Sequence, residues 1–71
     1  MIRHVICMPT EDKKPHPFTG KPFVYHNAET ANHEAAYPEW ATKYKARVEA
    51  EKIARSLPNQ ERGYTVEKFA F

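Results

Sequence analysis

The sequence predicts a small α+β domain, a three-stranded, mostly antiparallel sheet with one main helix in the order strand–loop–strand–helix–strand. Two runs of apolar and β-branched residues carry this expectation, IRHVICM near the start and GYTVEKFAF at the end. Between them lies a stretch rich in Ala, Glu and Lys, the good helix formers, which Pro58-Asn59 stops. A chain of 71 residues has room for one core, so residues 1–71 are read as a single domain.

Ile2 to Met8 places Ile2, His4, Ile6 and Met8 on one face and Arg3, Val5 and Cys7 on the other. Apolar groups on both faces predict a central strand. Residues 9–22, PTEDKKPHPFTGKP, hold four of the six prolines, which remove backbone donors and disfavour regular structure. They are read as a Pro-rich loop within the domain, with Phe18 expected to pin its end to the core. Pro22 to Asn27 reads as a second strand, and a turn at Thr19-Gly20 lets it double back to pair antiparallel with the first.

From Ala28, a capping signal at Thr30 predicts a short helix to Tyr37. Pro38 breaks it and, at a first-turn position, starts the main helix, expected over 38–57. That helix carries two apolar stripes: Ala46, Ala50, Ile53, Ala54 and Leu57, and beside them Trp40, Tyr44 and Val48. Lys45, Glu49, Lys52 and Ser56 lie opposite and should face water. Gly63 to Phe71 is the last strand, with Tyr64 and Val66 on one face and Phe69 and Phe71 on the other. That switch of faces calls for a bulge or two-sided burial near Lys68.

The net charge of +2 argues against the strongly basic class of nucleic-acid binders. Aromatic residues at 13% suffice for a small core and are too many for a wholly disordered chain. The lone cysteine, Cys7, excludes an intramolecular disulfide framework and favours a reducing, cytoplasmic setting. The start MIRHVICMPT lacks a small-residue cleavage site, and no segment approaches the ~18 apolar residues of a membrane span, so no membrane partner is expected.

Catalytic constellations are missing from the pattern. His4 and Cys7 have the right donor atoms for zinc, but three apart on a strand they point to opposite faces, and no CxxC or HxxxH spacing supports them. Cys7 sits inside a strand rather than on a sharp turn, which disfavours a nucleophile. Glu29, Glu34 and Glu39, five apart, do not share a helical face. Two glycines cannot build a phosphate-binding loop. No enzyme activity and no cofactor are expected.

Charge is uneven along the chain. Glu29, Glu34 and Glu39 give −3 between Ala28 and Thr42, whereas five basic residues against Glu49 and Glu51 give +3 from Lys43 to Leu57. One reading is an ordinary solvated helix; the other is a polarised binding surface. Trp40 likewise has two readings, as core beneath a bent helix or as part of an exposed anchor. In the second, Tyr37, Trp40 and Tyr44 form an aromatic cluster flanked by Lys43, Lys45 and Arg47, residue types enriched in binding hot spots. These six are the candidate partner contacts. The same basic residues with Arg55, and Tyr44 or Trp40 stacking on a base, support the alternative of a nucleic-acid-binding or nucleic-acid-mimicking regulator. An exposed last strand, Gly63 to Phe71, offers a third route, strand addition.

The segment RVEAEKIARSLPNQERGYTVEKF resembles a pattern found in small proteins encoded by phages and mobile elements. In these a helix of the form EA-x-x-IA-x-x-L precedes a turn and a strand GY-x-V. Glu49, Ala50, Ile53, Ala54, Leu57, Gly63, Tyr64 and Val66 match it, over about the last third of the chain. The resemblance takes in a strand before the helix, PFVYHN, and departs from the compact form in the long insertion between Tyr25 and Val48. It implies a host-takeover accessory protein, an inhibitor or modulator that binds a host enzyme such as RNA polymerase or, in an anti-defence role, a defence nuclease. It implies no catalytic residues. The leading expectation is therefore a non-enzymatic protein–protein interaction module acting on a host protein.

Overall fold

A computed structural model describes residues 1–10 and 12–71. The fold is α+β, with four strands rather than three. β1 (Ile2–Pro9) is central, β2 (Phe23–His26) and β4 (Thr65–Ala70) flank it, and β3 (Glu34–Ala35) lies outside β2, in the order β3-β2-β1-β4. All neighbours are antiparallel. β1 and β2 pair through Cys7↔Tyr25 and Met8↔Val24, and β1 and β4 from Ile2↔Ala70 to Cys7↔Thr65.

One helix, α1 (Arg47–Ser56), crosses one face of the sheet. Its Ala50 and Ala54 are its buried residues, and the absence of bulky side chains there lets the helix approach β1 and β4 closely. Ile6, Met8, Val24 and Ala54 are buried between helix and sheet, with Ile53, Leu57, Tyr64 and Val66 packed around them. The opposite face buries Val5, Cys7, Tyr25, Ala35 and Ala41, with Phe23 and Phe69 alongside. Ile6 and Val5 are both wholly inaccessible, one on each face, as a central strand requires. Edge-to-face contacts run across the second face from Phe23 to Tyr25 (5.8 Å) and Tyr25 to Phe69 (5.9 Å).

The expected helix over 38–57 is a correction. Pro38–Trp40 forms a single 3₁₀ turn, residues 41–46 are irregular, and the α-helix begins only at Arg47. The first half of β1 has a free edge where β2 ends, and Tyr44 fills it. The His4 N–H donates to the Tyr44 carbonyl (2.8 Å) and the Tyr44 N–H to the His4 carbonyl (2.9 Å). Thr42 likewise donates its N–H to the His26 carbonyl (3.0 Å). Satisfying a buried strand's backbone outweighs local helix propensity, which differs by less than about 1 kcal/mol per residue. The second helical stripe therefore does not exist, and Val48, on the helix, is exposed.

The short helix expected from Thr30 to Tyr37 is also replaced. Asn27 and Asn32 each accept a backbone N–H two residues on, from Glu29 (2.8 Å) and Glu34 (3.1 Å). His33 adopts a left-handed conformation (φ 57°), which ends any helix and turns the chain into β3.

Pro9 closes β1, and the described residues of the Pro-rich segment after it are irregular and closed upon themselves. Thr10 donates its N–H to the Pro22 carbonyl (3.1 Å), His16 to Lys21 (2.8 Å) and Gly20 to His16 (2.8 Å), with Gly20 at φ 71°. Phe18 points into solvent rather than pinning the loop. The faces of β4 follow the expected assignment, Val66 toward the helix and Phe69 toward the other side.

Candidate interaction surface

The surface begins with a proline. Because Pro38 disfavours helical geometry in the residue before it, Tyr37 is extended (φ −124°, ψ 148°), and the chain then closes one tight turn. Trp40 donates its N–H to the Tyr37 carbonyl and Ala41 to the Pro38 carbonyl, each 3.1 Å. The turn brings Tyr37 and Trp40 into an edge-to-face pair, centroids 5.2 Å apart at 88°. Trp40 nevertheless stays 63% exposed and Tyr37 39%. Trp40 is therefore exposed and is not core beneath a bent helix.

Side chains tie the turn to the β2–β3 connection and close it upon itself. The Asn27 side-chain amide donates to the Trp40 carbonyl. Ala28 donates its N–H to the Thr42 hydroxyl (2.9 Å). Lys43 curls back so that its Nζ donates to the Glu39 carbonyl and to that of Ala41 (3.3 Å). The same ammonium lies 4.8 Å from the centroid of Phe71, a ring 5.9 Å from that of Phe69. Ala41 itself is buried in the second-face core, so the turn is anchored beneath as well as at its ends.

The six expected contacts divide. Tyr37, Trp40 and Lys43 belong to one structure, the turn and its clasp. Tyr44 does not join them: it packs half-buried in the helix-side core, where burial, and then Glu49, pushes its hydroxyl above the usual tyrosine pKa. Lys45 is exposed just before α1. Arg47 opens the helix and is engaged with Glu51, Nε to Oε1 2.7 Å.

Two participants are not among the six expected contacts. Phe71 enters through Lys43, and Asn27 through the backbone of Trp40. The signal for Asn27 was its place after a β-branched and aromatic run, where an Asn side chain commonly organises the next turn. Nothing comparable marks Phe71.

The remaining chemistry is sparse. Cys7 is buried, and desolvation raises its thiol pKa although a hydrogen bond with Thr65 works the other way. A thiol held protonated in this way is a poor nucleophile. Among the described residues no group of three or more His, Cys, Asp or Glu side chains is placed to hold a metal ion. None of their helices is long and apolar enough to cross a membrane. Against protein-family models, curated proteins and solved structures, the chain finds no match.

Proposed function

We propose that this domain is a non-enzymatic protein–protein interaction module whose anchor is the Tyr37–Trp40 pair. The supporting observation is that the only tryptophan is largely in water although its backbone is tied down on both sides. Exposed Trp and Tyr on a fixed backbone lose little entropy on binding and bury large areas, which is why such residues dominate hot spots. Lys43, which closes the turn, adds positive charge and Glu39 adds negative charge within it, a combination that orients a partner more than it tightens binding.

The phage-like helix–strand pattern extends this reading to a modulator of a host enzyme, RNA polymerase or a defence nuclease, acting in the host cytoplasm. The competing reading, a nucleic-acid-binding regulator, draws on exposed Trp40 in the same turn as Lys43, with exposed Lys45 further along the chain, since an aromatic with cations nearby can stack a base. Salt separates the two. Two phosphate contacts lose about tenfold in affinity between about 50 and 200 mM salt, whereas an aromatic-anchored protein interface weakens far less. A weak salt dependence supports the protein partner; a steep one, abolished by reversing Lys43 and Lys45, supports nucleic acid.

A further inference from the structure

The two edges of the sheet are unequal. β3, at one, is only 2 residues long. β4, at the other, runs for 6 residues and has no strand beyond it among the described residues. An open edge of that length is a template for a further strand.

The ladder decides which backbone groups that edge presents. Phe71 donates its N–H to the Met1 carbonyl and the Met1 ammonium donates to the Phe71 carbonyl, each at 2.7 Å. His4, by contrast, spends its N–H and carbonyl on Tyr44, so its backbone faces away from Lys68, the residue opposite it in β4. Antiparallel pairs alternate between bonded and unbonded. Arg3↔Phe69, Val5↔Glu67 and Cys7↔Thr65 are therefore the bonded pairs, and the N–H and C=O groups of Val66, Lys68 and Ala70 point outward. No other hydrogen bond among the described residues engages them.

The same alternation sorts the side chains. Val66 packs on the helix side with Ile6, so Lys68 and Ala70 share that face. Phe69 packs on the other face, where the Thr65 hydroxyl also donates to the Glu67 carboxylate (3.4 Å). A strand bonded to Val66, Lys68 and Ala70 thus sets the residues opposite them toward α1 and the intervening ones beside Thr65, Glu67 and Phe69.

Charge distinguishes the two faces. A groove of about 580 Å³ runs between α1 and β4, and no β1 or β2 residue lines it, so it opens past the outer side of β4. Arg47, Glu51 and Arg55 of the helix border it. Arg47 and Glu51 neutralise each other at 2.7 Å, whereas Arg55 and Lys68 have no ion pair among the described residues. Glu67 also borders the groove, but its carboxylate is engaged on the opposite face. The helix side of the edge is therefore cationic, and the other side carries the Phe69 and Phe71 rings. A second copy fits poorly. The antiparallel registers that overlap most of β4 set Glu67 against its own counterpart, or Lys68 against its own, and like charges directly opposite are destabilising.

We propose that the outer edge of β4 takes an extended segment of another protein as an added antiparallel strand. That segment has acidic residues at the alternate positions facing α1 and β-branched or aromatic residues between them. Main-chain bonds supply the affinity and the alternation supplies the selection. The edge stands apart from the Trp40 anchor, so the two surfaces are tested separately.

The test is an amide NMR titration of the full chain with a capped heptapeptide alternating valine and glutamate, taken to about 1 mM. Saturating shifts at Val66, Lys68 and Ala70, with slowed exchange of their N–H groups, are expected. The counterpart with lysine for glutamate should bind at least about tenfold more weakly, and Lys68→Glu should weaken the glutamate peptide by about as much. N-methylation of the glutamates, whose N–H groups face the edge, should abolish binding, and N-methylation of the valines should spare it. Absence of saturating shifts, equal binding of both peptides, or indifference to glutamate N-methylation overturns the proposal. So does sedimentation showing that the domain dimerises through β4, which would assign the edge to a second copy.

Discussion

The side-chain amide of Asn27, at the end of β2, donates to the backbone carbonyl of Trp40, thirteen residues further along the chain. Through its Oδ1 the same side chain accepts the Glu29 N–H (2.8 Å). One residue thus shapes the β2–β3 connection and positions the exposed aromatic turn. Asn27→Ala is expected to lower stability by about 1–3 kcal/mol, the usual net worth of the two hydrogen bonds lost, and to speed amide exchange around Ala41. Urea melts and hydrogen exchange check both effects. Unchanged exchange at Ala41 would show that the buried Ala41 side chain alone holds the turn.

Stability and recognition are expected to separate by residue. Trp40 is mostly solvated and its main contact is Tyr37, so Trp40→Ala should cost less than about 1 kcal/mol. Ile6, wholly buried between sheet and helix, should cost about 2–5 kcal/mol as Ile6→Ala. Denaturant midpoints of the two variants measured side by side give the comparison.

His26 sets a pH dependence whose sign is fixed by its environment. Burial, and then His33, lower its folded pKa below the ordinary value near 6.5. Below about 6.5 the unfolded chain binds a proton that the folded one resists, so stability falls as pH drops and levels off once the folded ring titrates. The neighbouring His33, stacked on the ring, remains in place in His26→Phe, which should flatten this slope. Urea midpoints between about pH 7.5 and 5 measure it. An equal slope in both proteins would assign the effect elsewhere.

Cys7 is expected to react slowly with thiol reagents while the domain is folded and rapidly in denaturant, because it is buried and its pKa is raised. Reaction as fast in the folded state as in denaturant would place the thiol at the surface.

The legible parts of the fold were those governed by local pattern. β1 announced its central position through apolar residues on both faces, and the Ala50, Ile53, Ala54 and Leu57 stripe marked the half of the helix that exists. Long-range pairing was not legible. Ala41 to Lys45 has acceptable helix propensity, and nothing local reveals that the free edge of β1 at His4 will capture Tyr44. That capture also moved Tyr44 away from Trp40, since the expected helical spacing between them disappeared. Tyr37 and Trp40, two of the three aromatics expected to cluster, were recognisable beside the break at Pro38. The clasp of Lys43 over Phe71 depends on the register of β4 against β1, which no local pattern encodes.

The central claim concerns Trp40 and is tested most directly by affinity capture from nuclease-treated bacterial lysate, with the tagged wild-type domain and a folded Trp40→Ala variant in parallel. The account predicts one protein retained at near-stoichiometric yield by the wild type and lost from the variant, with both baits equally stable. Equal retention by the two baits, or loss of all capture on nuclease treatment, would contradict it.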